Sequence, residues 1–111
     1  MFEVERRGDA SIIHVDDDLD IASKDHLSDA LARAEQAAAP RIIVSLERCL
    51  YCDSSGLAEL IRAHKRLGTA LIVVVPPASQ CRRIFEIAGL VTILRVYPSI
   101  DAAFLVNVTS D

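Results

Sequence analysis

The sequence predicts an α/β fold, a mixed β-sheet flanked by helices, and three features carry that prediction. Two short apolar runs, Ile42-Ile43-Val44 with Leu46 and Leu71 to Val75, read as strands buried on both faces. Stretches with apolar residues three and four apart alternate with those runs, the order an α/β chain shows. An alternating segment at the N-terminus adds an antiparallel edge to an otherwise parallel sheet.

Phe2, Val4 and Arg6 alternate with Glu3 and Glu5, and Gly8-Asp9 turns the chain into a second strand carrying Ile12, Ile13 and Val15. The carboxylates of Asp16 to Asp20 end that strand, since they repel one another and are poor strand formers. Ser23 is an N-cap, with Leu27, Ala30, Leu31, Ala34 and Ala38 at helical spacing behind it. Asp25 suits the helix dipole, and Pro40 stops the helix. Leu57, Leu60, Ile61, His64 and Leu67 mark a second amphipathic helix with Glu59, Arg62, Lys65 and Arg66 on its wet face. Gly68 is its C′ residue, and His64 is expected as a satisfied core or boundary histidine. Pro76-Pro77 closes the strand at Leu71 to Val75, and Cys81, Ile84, Phe85 and Ala88 form a third helix ended by Gly89. Val91, Ile93, Leu94 and Val96 predict a last strand; Ser99 caps a final helix with Ile100, Ala103 and Phe104, and Val108 to Asp111 fray. Strand order is not encoded in any of these patterns.

The 111 residues are expected to form one domain, 1–111, large enough to bury a core without metal or disulfides. No apolar run approaches the ~18 residues of a membrane span, and the N-terminus is charged and alternating rather than a signal peptide. The expectation is a cytoplasmic protein without membrane insertion. Residues 1–35 carry ten acidic and four basic side chains, against six and eight in residues 36–111. Asp16, Asp17, Asp18, Asp20 and Asp25 concentrate the negative charge, which disfavours nucleic acid and favours a basic or metal-bearing partner.

Cys49 and Cys52 make a C-x-x-C pair, to which Cys81 and His64 could be added as zinc ligands. The second C-x-x-C or paired histidines of a strong zinc signature are absent, so no metal site is assigned. Both cysteines precede the helix start, among Leu46, Leu50 and Tyr51, where thiols serve as small apolar fillers.

The functional signal lies at Cys52-Asp53-Ser54-Ser55-Gly56-Leu57, where a strand region ends and the second helix begins. Asp and Ser there are ordinary caps, with Ser55 a spare and Gly56 permitting close packing. The same helix end offers unpaired N–H groups to an anion or a phosphorylated side chain. Spacing alone leaves both readings open. There is no P-loop, G-x-G-x-x-G or nucleophile elbow to suggest an enzyme.

Asp53-Ser54-Ser55-Gly56-Leu57 resembles the D-S-[ST]-G-L signature of the STAS family (sulphate transporter and anti-sigma factor antagonist domains), and is most similar to its soluble antagonists. Leu19-Asp20 resembles the family's G-x-L-D element, Val44-Ser45-Leu46 its apolar-polar-Leu strand, and Ala88-Gly89-Leu90 its T/S-G-L. These stand in the family's order from about residue 12 to 104. Asp17 replaces the glycine of G-x-L-D, adding charge and removing an easy left-handed position.

The resemblance implies four or five strands in a mixed sheet flanked by four helices. It also implies a partner switch without cofactor or catalysis of its own, phosphorylated at Ser54 with Asp20, Asp53, Ser55 and Gly56 around the phosphosite. The implied partners are an anti-sigma factor serine kinase, which uses ATP and Mg²⁺ and binds the unphosphorylated form, and a serine phosphatase. Asp17, Asp18, Ala58, Glu59 and Arg62 are the interface candidates. Helix N–H groups behind Gly56 are expected to hold the phosphate. The alternative is a STAS subunit that only scaffolds a lipid-transport or stressosome-like complex.

Overall fold

The computed structural model describes residues 2–105. Its elements are β1 (Glu3–Arg7), β2 (Ala10–His14), α1 (Lys24–Gln36), β3 (Arg41–Ser45), α2 (Ser54–Leu67), β4 (Leu71–Val74), α3 (Gln80–Ile87), β5 (Val96–Tyr97) and α4 (Ile100–Phe104). The five strands form one sheet in sequence order, β1-β2-β3-β4-β5, with β1 antiparallel to β2 and every later pair parallel. The expected mixed sheet and four helices are therefore present.

A sheet that grows always in one direction through right-handed crossovers places every crossover helix on the same face. The core divides accordingly. Ile13, Val15, Ile42, Val44, Leu71 and Val73 pack with Leu27, Ala30, Leu31 and Ala34 of α1, Leu57, Leu60 and Ala63 of α2, and Cys81 and Phe85 of α3. Among the described residues, the opposite face, Ala10, Ile12, Ile43, Ile72 and Val74, has only Ile100 and Ala103 of α4 as its buried helical cover. Arg41 holds that cover down, its Nη1 donating to the Ala103 carbonyl at 3.2 Å and its Nε to Asp9 at 3.1 Å.

Several sequence expectations need correction. Ser23 stands at the start of α1 but makes no side-chain cap. Its hydroxyl instead donates to the Asp18 carbonyl at 2.6 Å and accepts from the Asp20 amide at 3.1 Å, tying the acidic loop. Helix α1 ends at Gln36, ahead of Pro40, so Ala38 is exposed rather than on the apolar stripe. In α2 the fourth buried side of the stripe is Ala63, whereas Ile61, His64 and Leu67 are only half-buried. His64 keeps a buried Nδ1 without a partner among the described residues, and Glu59, assigned to the wet face, has a side chain only 16% exposed.

The last strand shrinks to two residues. Leu90 and Leu94 are buried four apart and Ile93 is 52% exposed, a helical and not an alternating pattern. Residues Leu90–Thr92 accordingly form a 3-10 turn, with the Leu94 amide bonded to the Leu90 carbonyl at 2.8 Å. The predicted fraying at Val108 to Asp111 lies outside the described residues.

Ala38 is the single non-glycine residue with a left-handed φ (+56°) among the described residues. It directly follows the C-cap Ala37, where glycine is the usual choice because a β-carbon costs about 1–2 kcal/mol in that conformation. Ala38→Gly is therefore expected to raise stability by about 0.5–1 kcal/mol, despite the greater freedom of glycine in the unfolded chain. Urea unfolding at constant slope checks this.

Candidate functional site

Ser54 opens α2 and is exposed, with Asp53 immediately before it in an extended conformation. Asp53 is the N-cap: its Oδ1 accepts from the amides of Ser55 at 2.9 Å and Gly56 at 3.1 Å, and its carbonyl accepts from Leu57 at 3.0 Å. This bears on the expected phosphate cradle. The amides of Ser55 and Gly56 already serve the Asp53 carboxylate, so a phosphate on Ser54 would have to displace it to use them.

The junction is fixed to the acidic loop by a short stretch of parallel pairing. Leu19 bridges Cys52, with the Leu19 amide donating to the Tyr51 carbonyl at 2.8 Å and the Asp53 amide donating to the Leu19 carbonyl at 3.0 Å. Gly56 explains how α2 can lie so close. A β-carbon there would stand 2.5 Å from both Leu19 Cγ and the Leu19 carbonyl oxygen.

Asp20 follows Leu19, so the pairing lays the Asp20 segment beside the Asp53 segment. Its Oδ1 accepts from Ala22 at 3.0 Å and Ser23 at 3.1 Å, capping the turn into α1. Asp53 and Asp20 thus both have structural duties. Asp17 Oδ1 accepts from the Asp18 amide at 2.8 Å. Asp17 does not have a left-handed φ, so replacing the expected glycine costs no backbone strain. Loss of solvation, and then the Asp17 charge, raise the Asp18 carboxyl above its ordinary value.

Ala58 and Glu59 are half-buried on the first turns of α2, while Arg62 is exposed and paired with Glu59. Sequence reasoning missed an apolar rim. Ile21 (67% exposed), Leu50 (77%) and Tyr51 (46%) stand on the two segments joined at the Leu19–Cys52 bridge. Leu50 and Tyr51 are adjacent in the chain whereas Ile21 lies roughly thirty residues earlier, and the Leu19–Cys52 bridge brings their two segments together.

Behind the junction, Cys49 and Cys52 are buried as expected, but Cys81 from α3 joins them. Cys52 and Cys81 bring their Sγ atoms to 3.0 Å, and Cys49 lies 3.7 Å from Cys81 and 3.8 Å from Cys52. His64 is not in this group. Hydrogen bonds from the Cys52 and Cys81 thiols lower Cys49 from the ordinary thiol value, while the bonds with Cys49 push Cys81 and Cys52 up, with burial adding to both.

A family model described as the STAS domain matches residues 1–103. Among solved structures, the chain is similar to an anti-sigma factor antagonist from Mycobacterium paratuberculosis, at 23% identity and a TM-score of 0.84, covering 95% of this chain and 91% of that one. It is also similar to the anti-sigma factor antagonist SpoIIAA in its unphosphorylated form, at 19% identity and a TM-score of 0.66, covering 95% and 94%. The Bacillus cell fate determinant SpoIIAA in its phosphorylated form matches at 22% identity and a TM-score of 0.67, covering 96% and 100%. At these identities the likeness speaks for the fold.

Two outcomes follow from this geometry. Gly56→Ala would ordinarily strengthen a helix by about 1 kcal/mol; against the Leu19 backbone it is expected to lower stability by about 1–3 kcal/mol instead. A more stable variant in urea unfolding would refute the contact. Asp53→Ala is expected to cost about 1 kcal/mol, and Asp53→Asn far less, because asparagine caps as well as aspartate. Thermal unfolding of the pair separates the cap from the charge.

Proposed function

The chain belongs to the STAS domain family, and we propose that within it this protein is an anti-sigma factor antagonist, a partner switch controlled by phosphorylation of Ser54. Its unphosphorylated form binds an anti-sigma factor that is also a serine kinase, freeing the sigma factor. Phosphorylation ends that binding, and a serine phosphatase restores it. The protein is the substrate at this site and not the catalyst.

The observation that carries the proposal is the placement of Ser54. It is exposed at the first position of α2, beside a carboxylate that already occupies the amides of Ser55 and Gly56. A phosphate adds about -1.5 to -2 charges and three acceptor oxygens. With Asp53 in possession of those amides, the added charge faces outward, toward whatever covers the site. The fold keeps its cap, and the partner meets a dianion next to Asp53 and the Asp20 loop. Crowding like charges in an interface costs several kcal/mol.

Ile21, Leu50 and Tyr51 supply exposed apolar area on the two segments that meet at this junction, which suits a protein partner better than a small substrate. Asp17, Asp18, Ala58, Glu59 and Arg62 complete the proposed face.

Incubation with the kinase, ATP and Mg²⁺ should add one phosphate to the wild-type protein and none to Ser54→Ala, read by intact mass and fragment sequencing. Ser54→Asp should bind the kinase at least about a hundredfold more weakly, a loss of about 2.7 kcal/mol or more, by calorimetry. An aspartate variant that binds normally would sink the switch. Absence of phosphate on protein from its native cell, together with co-purifying membrane-complex subunits, would replace it with the scaffold reading.

A further inference from the structure

Three sulfurs meet beneath the Ser54 junction from two distant parts of the chain. Cys49 and Cys52 come from the loop between β3 and α2, and Cys81 from the first turn of α3. Their exposures are 3%, 1% and 0%. As neutral thiols they have poor partners: Cys49 Sγ reaches the Tyr51 carbonyl at 3.2 Å, Cys81 Sγ only the Cys49 carbonyl at 3.5 Å, and Cys52 only other sulfurs. Apolar filling does not require three thiols to converge, since one methyl-sized side chain fills such a gap as well.

We propose that Cys49, Cys52 and Cys81 form a three-coordinate site for one thiophilic ion of the Cu(I) or As(III) class. Three sulfurs each about 2.3 Å from a trigonal-planar ion such as Cu(I) stand about 4 Å apart, and pyramidal As(III) draws them to about 3.4 Å. Two of the three separations, 3.7 and 3.8 Å, already fall between these, and the third, 3.0 Å, has to open. An opening of about 1 Å is within the reach of a small side-chain rotation. Among the described residues no further His, Cys, Asp or Glu joins the group. A closed structural zinc site needs four ligands, whereas soft thiolate donors suit Cu(I). Trivalent arsenic likewise takes three sulfurs.

Charge distinguishes the two ions. Arsenous acid exchanges its three hydroxyls for three sulfurs, the three thiol protons leaving in three waters, and the product is neutral. Cu(I) displaces the protons of two thiols and takes the third sulfur as a neutral donor, leaving one negative charge. Burial favours the neutral product. Either ion would pin Cys52, the residue before the Asp53 cap, to α3.

The test uses the reduced full-length chain and needs neither kinase nor phosphate. Under anaerobic conditions the protein is titrated separately with Cu(I) as its acetonitrile complex, arsenite, and zinc chloride, and read by native mass spectrometry and competition with a chromophoric chelator. One ion per chain is expected for Cu(I) and for arsenite, with zinc at least about a hundredfold weaker than Cu(I). Cys52→Ala and Cys81→Ala should each weaken binding at least about a hundredfold, circular dichroism confirming that they fold. A wild-type chain that takes up neither ion would overturn the site. So would uptake that survives in the triple alanine variant, or zinc held as tightly as Cu(I). The wild-type stoichiometry stands whether or not a variant folds.

Discussion

The close approach of α2 to the backbone of Leu19 is the constraint on which the rest of the site depends. Gly56 has no β-carbon, and a β-carbon would collide with both the side chain and the carbonyl of Leu19. Because that space is empty, the acidic loop can pair with Cys52, and the Leu19 carbonyl can accept the Asp53 amide. Asp53 is then turned to cap α2, and Ser54 is delivered to the surface at the helix start. One missing methyl group thereby connects a loop after β2 to the hydroxyl after β3. Glycine in a helix is a local cost of about 1 kcal/mol, and here the tertiary contact outweighs it.

The sheet order explains why that contact exists. Strands added in sequence order put α1, α2 and α3 over one face, with the loops entering α1 and α2 at neighbouring strand ends. The β2–α1 loop and the β3–α2 loop follow adjacent parallel strands, so they meet as a matter of topology. Ligand and partner sites in open parallel sheets gather at such strand ends for this reason. The opposite face is closed by the single turn and a half of α4, locked by Arg41 to the Ala103 carbonyl.

Charge and capping at Ser54 use the same atoms, which changes how a phosphate would act there. The helix end does not present Ser55 and Gly56 amides waiting for an anion, since a carboxylate occupies them. Modification then alters the outward potential of the surface more than its internal bonding. Asp20 is likewise committed to the turn before α1, so the acidic loop is an ordered structure tied by the Ser23 hydroxyl. An ordered negative surface with an apolar rim is suited to recognition by fit, with little conformational adjustment on binding.

The local elements were legible in the sequence because their causes are local. The Gly8-Asp9 turn, the buried runs at β3 and β4, the caps at Asp53 and Ser99 and the left-handed Gly89 are set by residues within a few positions of one another. The Asp53-Ser54-Ser55-Gly56 junction was visible for the same reason. Other features had no local trace. The apolar letters of Val91 to Val96 suit a strand or a helical turn equally, and burial of Leu90 with Leu94 decided for the turn. Ser23 looks like a cap, but its hydroxyl is turned to the Asp18 carbonyl and the Asp20 amide. The convergence of Cys81 on Cys49 and Cys52, and the pairing of the Leu19 segment with the Cys52 segment, depend on contacts between residues roughly thirty apart in the chain. Chain sequence by itself determined most of the helices and strands and which hydroxyl stands at the start of α2. Tertiary structure alone decided what surrounds that hydroxyl, because neighbours brought together by strand pairing leave no period or spacing in the sequence to announce them.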